Sequence, residues 1–347
     1  MQRFLSTTIH PRLRNGRQNR GLTLVELLVV IVILSMVTVA TIPLMQPPSG
    51  ERKIREAARN VATTFELARA RATETGRPAG VWIEPQAKVN GAVEAYKLFL
   101  CDVPPPYAGD TTTSSASVTN NGMMVTVTLN NSGSAPSLVK YGDRIRLNYR
   151  GPWYRIDGGT DGTNISGGGL TLAINQAPDF APAPAEGNNI PFEIIRQPVK
   201  SSITPTILPT NAPAAIVDLS QSGYGNSGHG ENAFGHGSNL KPVVVTFTPT
   251  GRVHQVQHYD GNDLEIDQPT AMIYLLVRLR KEEGLMENGV AYTATDSFKD
   301  FSAYWIGINP TTGLVSVASV YSDSTSPPAD RTESRKAATQ GRIEGGL

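Results

Sequence analysis

Residues 22–45 read LTLVELLVVIVILSMVTVATIPLM, an apolar run of 24 residues with a single charged side chain. A helix of roughly 20 residues crosses the hydrocarbon core of a bilayer, so the run predicts a transmembrane helix. Residues 1–21 carry five arginines and no acid. Because basic flanks stay on the cytoplasmic side, we expect a single pass through the cytoplasmic membrane, with the larger part of the chain outside.

Glu26 is the single charged residue of that run. An isolated acid inside lipid costs at least ~2.5 kcal/mol, which indicates that its carboxylate needs a partner. A cut after Gly21 supplies one, because Leu22 then becomes the first residue with a new α-amino group and Glu26 becomes the fifth. The alternative is an ordinary signal peptide cut near Thr38–Ala40, although this apolar run is longer than the roughly 7–15 residues of such a peptide.

The stretch from Gly21 to Glu26 and the run after it resemble the cleavage and methylation signature of type IV pilins and type II secretion pseudopilins. The resemblance implies that residues 1–21 are a leader removed by a prepilin peptidase, that Leu22 is N-methylated, and that Glu26 acts in assembly. Pro43, the twenty-second residue after the cut, matches the proline that often kinks the family's helix. Leu22 departs from the family's usual Phe or Met.

A second helix is predicted in residues 46–76. After the break Gln46-Pro-Pro-Ser-Gly50, the chain from Glu51 to about Glu74 has apolar residues three and four apart, with charged residues off this stripe. The stripe consists of Ile54, Ala58, Val61, Phe65, Ala68 and Ala72. We expect it to pack against a sheet and the helix to end at Gly76.

Three further segments resemble one branch of the family, the H-type minor pseudopilins of type II secretion and the related T-type minor pilins. Residues 58–84 match its helix end, turn and first strand. Residues 243–253, VVVTFTPTGRV, look like its strand–turn–strand, with Pro249 and Gly251 in the turn. Residues 305–317 form a similar predicted hairpin that turns at Asn309–Gly313.

The resemblance implies an α+β, pilin-like fold. Its long N-terminal helix has a transmembrane half in residues 22–45 and an amphipathic half in residues 46–76, packed on a strand-rich antiparallel β domain in residues 77–322. Strands are predicted at 81–84, 95–101, 123–129, 144–149, 170–174, 192–195, 215–219, 243–247, 253–257, 272–279, 303–308 and 314–320. Residues 273–280 also fit a helix. Exposed loops are expected at 109–122, 157–169, 177–189 and 222–238, and a flexible tail at 323–347.

Composition excludes several classes of protein. An apolar share of 39% is too high for a disordered chain, and 33 glycines with 25 prolines favour short strands and loops. The lone cysteine, Cys101, excludes an intrachain disulfide. Lys and Arg number 31 against 30 Asp and Glu, so loss of the five leader arginines leaves an excess of four acids. That balance argues against nucleic acid as a partner.

Candidate ligand residues lie between positions 254 and 265. His254 and His258 share a face if their strand is regular, and Asp260 and Asp263 follow closely, which makes these four residues weak candidates for a metal site. The run Asp260-Gly-Asn-Asp-Leu-Glu265 suggests calcium as an alternative, although it lacks the twelve-residue calcium pattern. The structural alternative is an exposed strand-to-loop segment. We therefore expect no bound cofactor.

No motif indicates catalysis. The glycine-rich residues 223–237 lack the Lys-Ser/Thr end of a phosphate loop, and no G-x-S-x-G nucleophile elbow occurs. We therefore expect a protein that is not an enzyme and that acts by assembly. The expected partners are a prepilin peptidase, other pilins or pseudopilins through the N-terminal helix, the inner-membrane secretion platform and the lipid bilayer.

Three functional readings remain open. The first is a minor pseudopilin or pilin-like subunit of a type II secretion or type IV pilus machine, anchored in the inner membrane with its globular domain in the periplasm. The second is a DNA-uptake minor pilin. The third is a pilin-anchored envelope enzyme or carbohydrate binder, with a ligand at His254 and His258 or around Trp153-Tyr154.

Overall fold

The computed structural model describes residues 24–41, 50–89, 92–121, 124–173, 182–211, 213–225, 234, 240–260, 263–280, 286–287, 290–291, 302–320 and 331–344. The chain divides into two compact units, Met1–Pro48 and Ser49–Leu347. Helix α1, Leu24–Thr41, belongs to the first unit. Within the described ranges, no helix combines the length and apolarity of a membrane span. The transmembrane prediction for residues 22–45 therefore stays a prediction.

The second unit contains three helices and twenty strands in its described part. The helices are α2 (Gly50–Thr75), α3 (Ala135–Leu138) and α4 (Arg331–Glu344). The first eleven strands are β1 (Ala79–Val89), β2 (Ala92–Asp102), β3 (Ser115–Asn120), β4 (Val125–Asn130), β5 (Arg144–Leu147), β6 (Tyr154–Asp157), β7 (Gly169–Leu172), β8 (Gly187–Ile190), β9 (Phe192–Ile195), β10 (Val199–Lys200) and β11 (Thr206–Ile207). The others are β12 (Ala215–Tyr224), β13 (Val243–Phe247), β14 (Val253–Asp260), β15 (Asp263–Asp267), β16 (Ile273–Leu279), β17 (Met286–Glu287), β18 (Val290–Ala291), β19 (Tyr304–Ile308) and β20 (Val315–Ser319).

The strands form two large antiparallel sheets. The first sheet has the order β15-β14-β13-β1-β2-β12-β16-β19-β20, and β10 and β11 pair with β2. The second sheet has the order β8-β3-β4-β7-β6-β5-β9. Strands β17 and β18 pair only with each other among the described strands. Each strand predicted from the sequence overlaps a strand of the structure, and β16 settles residues 273–279 as strand, so the helical alternative there is wrong.

Helix α2 packs its apolar face on the first sheet, and the two together form the larger hydrophobic core. All six residues of its predicted apolar stripe are at most 1% exposed. Phe65 at its centre meets Phe247 of β13 edge to face, with ring centroids 6.4 Å apart. The helix ends before Gly76, whose φ of +64° is the left-handed conformation that glycine adopts most easily.

The first sheet curls until two of its turns touch. The backbone N–H of Val253, after the β13–β14 turn, donates to the carbonyl of Pro310 in the β19–β20 turn over 3.0 Å. A Cβ added to Gly313 would lie 1.8 Å from the carbonyl oxygen of Gly251, so the contact requires glycine at position 313. Both hairpins were predicted from the sequence, but their contact was not.

The second sheet has its own core and is inserted between two paired strands of the first. The chain leaves the first sheet after Asp102 of β2 and returns at Val199 of β10, and these two residues are register partners. The predicted exposed loop 109–122 is wrong, because it contains β3, where Ala116 is fully buried and Val118 only 4% exposed. Short polar strands resemble loops in sequence because their apolar residues are few.

The C-terminal segment corrects another expectation. Residues 331–344 form helix α4 and are not a flexible tail, whereas 323–330 and 345–347 lie outside the described residues. The helix covers a small apolar cluster on β16 and β19 that includes Tyr274 and Trp305. Trp305 donates its indole N–H to Ser334 Oγ over 2.7 Å, and Ser334 is fully buried.

Candidate functional site

Helix α1 is apolar around its whole circumference. From residue 24 to residue 37, every large apolar side chain is between 47% and 82% exposed within this unit. A helix that is apolar on all sides requires a surrounding of other helices or lipid. Glu26 lies in the first turn of α1 and its side chain is exposed. A carboxylate at this end of a helix interacts favourably with the helix dipole.

The other residues of the predicted cleavage and assembly site lie outside the described residues. These are Gly21, Leu22 and Pro43. Their roles in cleavage, N-methylation and assembly therefore stay predictions from the sequence.

Among the described side chains, His254 and Asp263 of the predicted metal quartet do not join His258 in a cluster of potential ligands. His254 has no register partner, because Thr246 pairs with Gln255 and Phe247 with Val253. This β-bulge breaks the alternation that would put His254 and His258 on one face. Asp263 is exposed and lies 3.7 Å from Arg155, and the side chain of Asp260 lies outside the description. Burial lowers the pKa of His254.

His258 instead meets Glu265, which ends the run considered for calcium, and Asp267, which was not predicted from the sequence. Its Nε2 lies 2.9 Å from Asp267 Oδ2 and 3.6 Å from Glu265 Oε2. The hydrogen bond from His258 lowers the pKa of Asp267, and the hydroxyl of Tyr224 also donates to this carboxylate, over 2.6 Å. Burial raises the pKa of Tyr224, and Asp267 adds to that shift. The acids at alternate positions 263, 265 and 267 could have indicated these partners, because polar residues at every second position are typical of the exposed face of an edge strand.

An ion-pair network lies between β2, β12 and β16. Arg278 donates from Nε to Asp218 Oδ2 over 2.8 Å, and both side chains are at most 2% exposed. Arg280 donates to Glu94 over 2.6 Å, and Glu94 is also buried. The buried acids are each paired with an arginine, which indicates that this network has a structural role in the first sheet.

A cleft of about 540 Å³ opens in the second sheet beside the predicted Trp153-Tyr154 ligand region. Tyr154, Asn148 and Asn189 line it, and both asparagines have a positive φ. Trp153 stacks with the guanidinium of Arg146, 4.5 Å from the ring centroid. Of the glycine-rich residues 223–237, the structure describes 223–225 and 234, so His229 and His236 lie outside it.

Comparison with known proteins identifies the N-terminal segment. The family model of the prokaryotic N-terminal methylation motif matches residues 16–42. No curated protein and no solved structure matches the chain. The chain thus carries the type IV pilin and pseudopilin signal, as predicted. This motif is recognised by prepilin peptidase, and pilins assemble with each other. It implies a membrane-anchored, envelope-exposed protein.

Proposed function

We propose that the chain is a minor pseudopilin or pilin-like structural subunit that assembles into a type II secretion pseudopilus or a type IV pilus-like filament for protein secretion. The observation that supports this most is the methylation motif at residues 16–42, within which helix α1 is apolar on every side. In this proposal the subunit is no enzyme and belongs with the H-type minor pseudopilins. The excess of acids after leader removal disfavours the DNA-uptake alternative.

The proposed assembly begins with processing. Prepilin peptidase cuts between Gly21 and Leu22 and methylates the new amino terminus of Leu22. The subunit is held in the inner membrane with its globular part in the periplasm. It then packs α1 beside the same helices of its neighbours. Glu26 pairs there with the ammonium of an adjacent subunit's first residue, so that two charges costly in an apolar surrounding neutralise each other.

Processing is tested by the intact mass of the protein from membranes of cells with and without the peptidase. We expect loss of residues 1–21 and gain of one methyl group only where the peptidase is present. A full-length product, or one cut near Ala40, in both strains would contradict the proposal.

Assembly is tested by Glu26→Leu. An unpaired ammonium in an apolar surrounding costs at least ~2.5 kcal/mol, and each 1.4 kcal/mol is tenfold, so we expect membrane insertion to persist and incorporation into filaments to fall about tenfold or more. The measurement is the ratio of filament-bound to membrane-bound protein after shearing and sedimentation.

The matched control for Glu26→Leu is Ser35→Ala. Ser35 lies in the same helix and bonds only locally, from Oγ to the carbonyl of Ile31 over 2.6 Å. Its variant should incorporate as the parent protein does. Normal incorporation of Glu26→Leu would defeat the charge-pairing proposal.

A further inference from the structure

Three potential metal ligands converge at the β15 edge of the first sheet. His258 of β14 is the register partner of Glu265 of β15, and Asp267 follows two residues later on the same face of β15. One ligand atom from each side chain can be chosen so that all three lie within 4.8 Å of one another. This cluster lies entirely in the unit Ser49–Leu347, so it does not depend on the N-terminal motif.

The surroundings fix the imidazole while leaving the carboxylates accessible. The His258 side chain is 3% exposed, and its ring centroid lies 6.1 Å from that of Tyr224 and 5.8 Å from that of Phe234. The side chains of Glu265 and Asp267 are 47% and 37% exposed. An ion can therefore reach the cluster from the carboxylate side and keep a water as a further ligand.

One hydrogen bond supports a ligand at this cluster. Tyr224 donates to Asp267 Oδ2, an arrangement that orients a carboxylate as the outer partners of metal ligands do.

The separations of the ligand atoms favour one class of ion. With ligand bonds of about 2.0–2.2 Å, a tetrahedral Zn²⁺ places its ligand atoms about 3.3–3.6 Å apart. From His258 Nε2, the separation from Glu265 is 3.6 Å, at the upper end of that range, and the separation from Asp267 is 2.9 Å, a few tenths of an ångström below it. Calcium takes six to eight oxygen ligands, so the imidazole nitrogen of His258 is an unsuitable ligand for it. We propose that His258, Glu265 and Asp267 bind a divalent transition-metal ion, with Zn²⁺ as the best fit.

Such an ion would fasten the edge of the sheet. It would join β14 to β15 through side chains and, by way of Tyr224, hold both near the end of β12. Because the ion binds the folded edge and not the unfolded chain, it should stabilise the protein in proportion to its occupancy.

The test uses the full processed chain in detergent, without a histidine tag, stripped by a chelator and titrated with Zn²⁺ alone. We expect one Zn²⁺ per chain by calorimetry and a rise of about 3 °C or more in Tm at a hundredfold excess over Kd. Co²⁺ in place of Zn²⁺ should give the visible absorption of a tetrahedral site. Ca²⁺ at the same concentration should leave Tm unchanged.

Variants separate this site from incidental binding. Glu265→Gln changes a half-exposed side chain and should fold normally, yet bind Zn²⁺ at least about tenfold more weakly; Asp267→Asn should do the same. His254→Gln is the matched control, a histidine of the same strand outside the cluster, and should keep parental affinity. The proposal is overturned by absence of stoichiometric binding, by parental affinity in Glu265→Gln, by loss in His254→Gln, or by Ca²⁺ displacing Zn²⁺.

Discussion

Three N–H groups converge on the buried carboxylate of Asp143, where the second sheet faces the β14–β15 hairpin. The backbone and side-chain amides of Gln197 donate to Oδ1 over 3.0 and 2.9 Å, and the backbone N–H of Lys140 donates to Oδ2 over 2.8 Å. These bonds favour the ionised form, but burial outweighs them and raises the pKa of Asp143 to about 6. The folded protein therefore binds a proton at Asp143 more readily than the unfolded chain does.

The raised pKa of Asp143 predicts that this residue stabilises the fold more at low pH. Its contribution is fully present below the unfolded pKa near 3.8 and is lost as pH rises through about 6. Over this pH range the contribution of Asp143 to the free energy of unfolding falls by at most about 3 kcal/mol, at 1.36 kcal/mol per pKa unit. Asp143→Asn should reduce the change in the free energy of unfolding between pH 4.5 and pH 7, measured by urea unfolding at the two pH values.

The control for Asp143→Asn is Asp263→Asn, which changes an exposed carboxyl of the neighbouring hairpin. It should keep the parental difference in unfolding free energy between the two pH values. An Asp143→Asn protein with an unchanged difference would show that this carboxylate is already ionised at pH 4.5 in the folded state.

A buried cation is one of the groups that hold helix α4 on the sheet. Arg335 is 1% exposed and donates from Nη1 to the carbonyl of Gly225 over 3.0 Å and from Nη2 to that of Gln221 over 2.8 Å. Its guanidinium lies 5.2 Å from the ring centroid of Tyr274 and 5.3 Å from that of Trp305. Burial lowers the pKa of Arg335 to about 10, so it remains charged at neutral pH.

Arg335→Ala should therefore release α4 from the sheet. It leaves two carbonyls without their donor and a void between two rings, a loss of roughly 2–5 kcal/mol. We expect faster trypsin cleavage after Lys336, measured by mass spectrometry over time. Glu333→Gln, an exposed change in the same helix, should be cleaved at the parental rate. Equal rates in all three proteins would contradict the anchoring role of Arg335.

The elements that the sequence predicts are those with a regular apolar pattern. The α2 stripe and the β13–β14 and β19–β20 hairpins need only spacing and turn residues to be recognised. Helix α4 was missed because the residues that fix it to the sheet, such as Arg335 and Ser334, are polar, and their burial depends on aromatic rings far away in sequence. Strand β15 was missed because an edge strand has one polar face, and Asp-Leu-Glu-Ile-Asp resembles a loop. Asp267, a partner of His258, was missed with this strand.

At the scale of the whole molecule, the second sheet is an insertion with adjacent ends. The bond from Val103 N to the carbonyl of Pro78 and that from Ser201 N to the carbonyl of Leu100 close the first sheet on both sides of it. The sheets also touch away from the connections, where the Leu264 amide donates to Asp161 Oδ2 over 2.7 Å. Sequence spacing did not reveal this division, since the strands of both sheets have similar lengths and compositions.

We expect the first sheet to fold without the insertion. Replacement of residues 104–197 by a short Gly-Ser linker should leave cooperative unfolding and the blue-shifted emission of buried Trp305, with a Tm lower by several degrees. The control carries the same linker between Val103 and Pro104 with no deletion. A deleted protein that is unfolded while the control is folded would show that the two sheets form one cooperative unit.

The curl of the first sheet around α2 has a mechanical consequence. The helix contacts the strands that lie from β13 to β20 in the order of the sheet. In the described part of the chain, the sheet closes on itself where the Gly251 and Gly313 turns meet. Tension applied to the chain ahead of Gly50 therefore loads α2 in shear against many strands at once, and their contacts must break together. The junction of the two turns, joined by few hydrogen bonds, should yield before the helix slides. A globular part built in this way resists a steady pull until that junction opens.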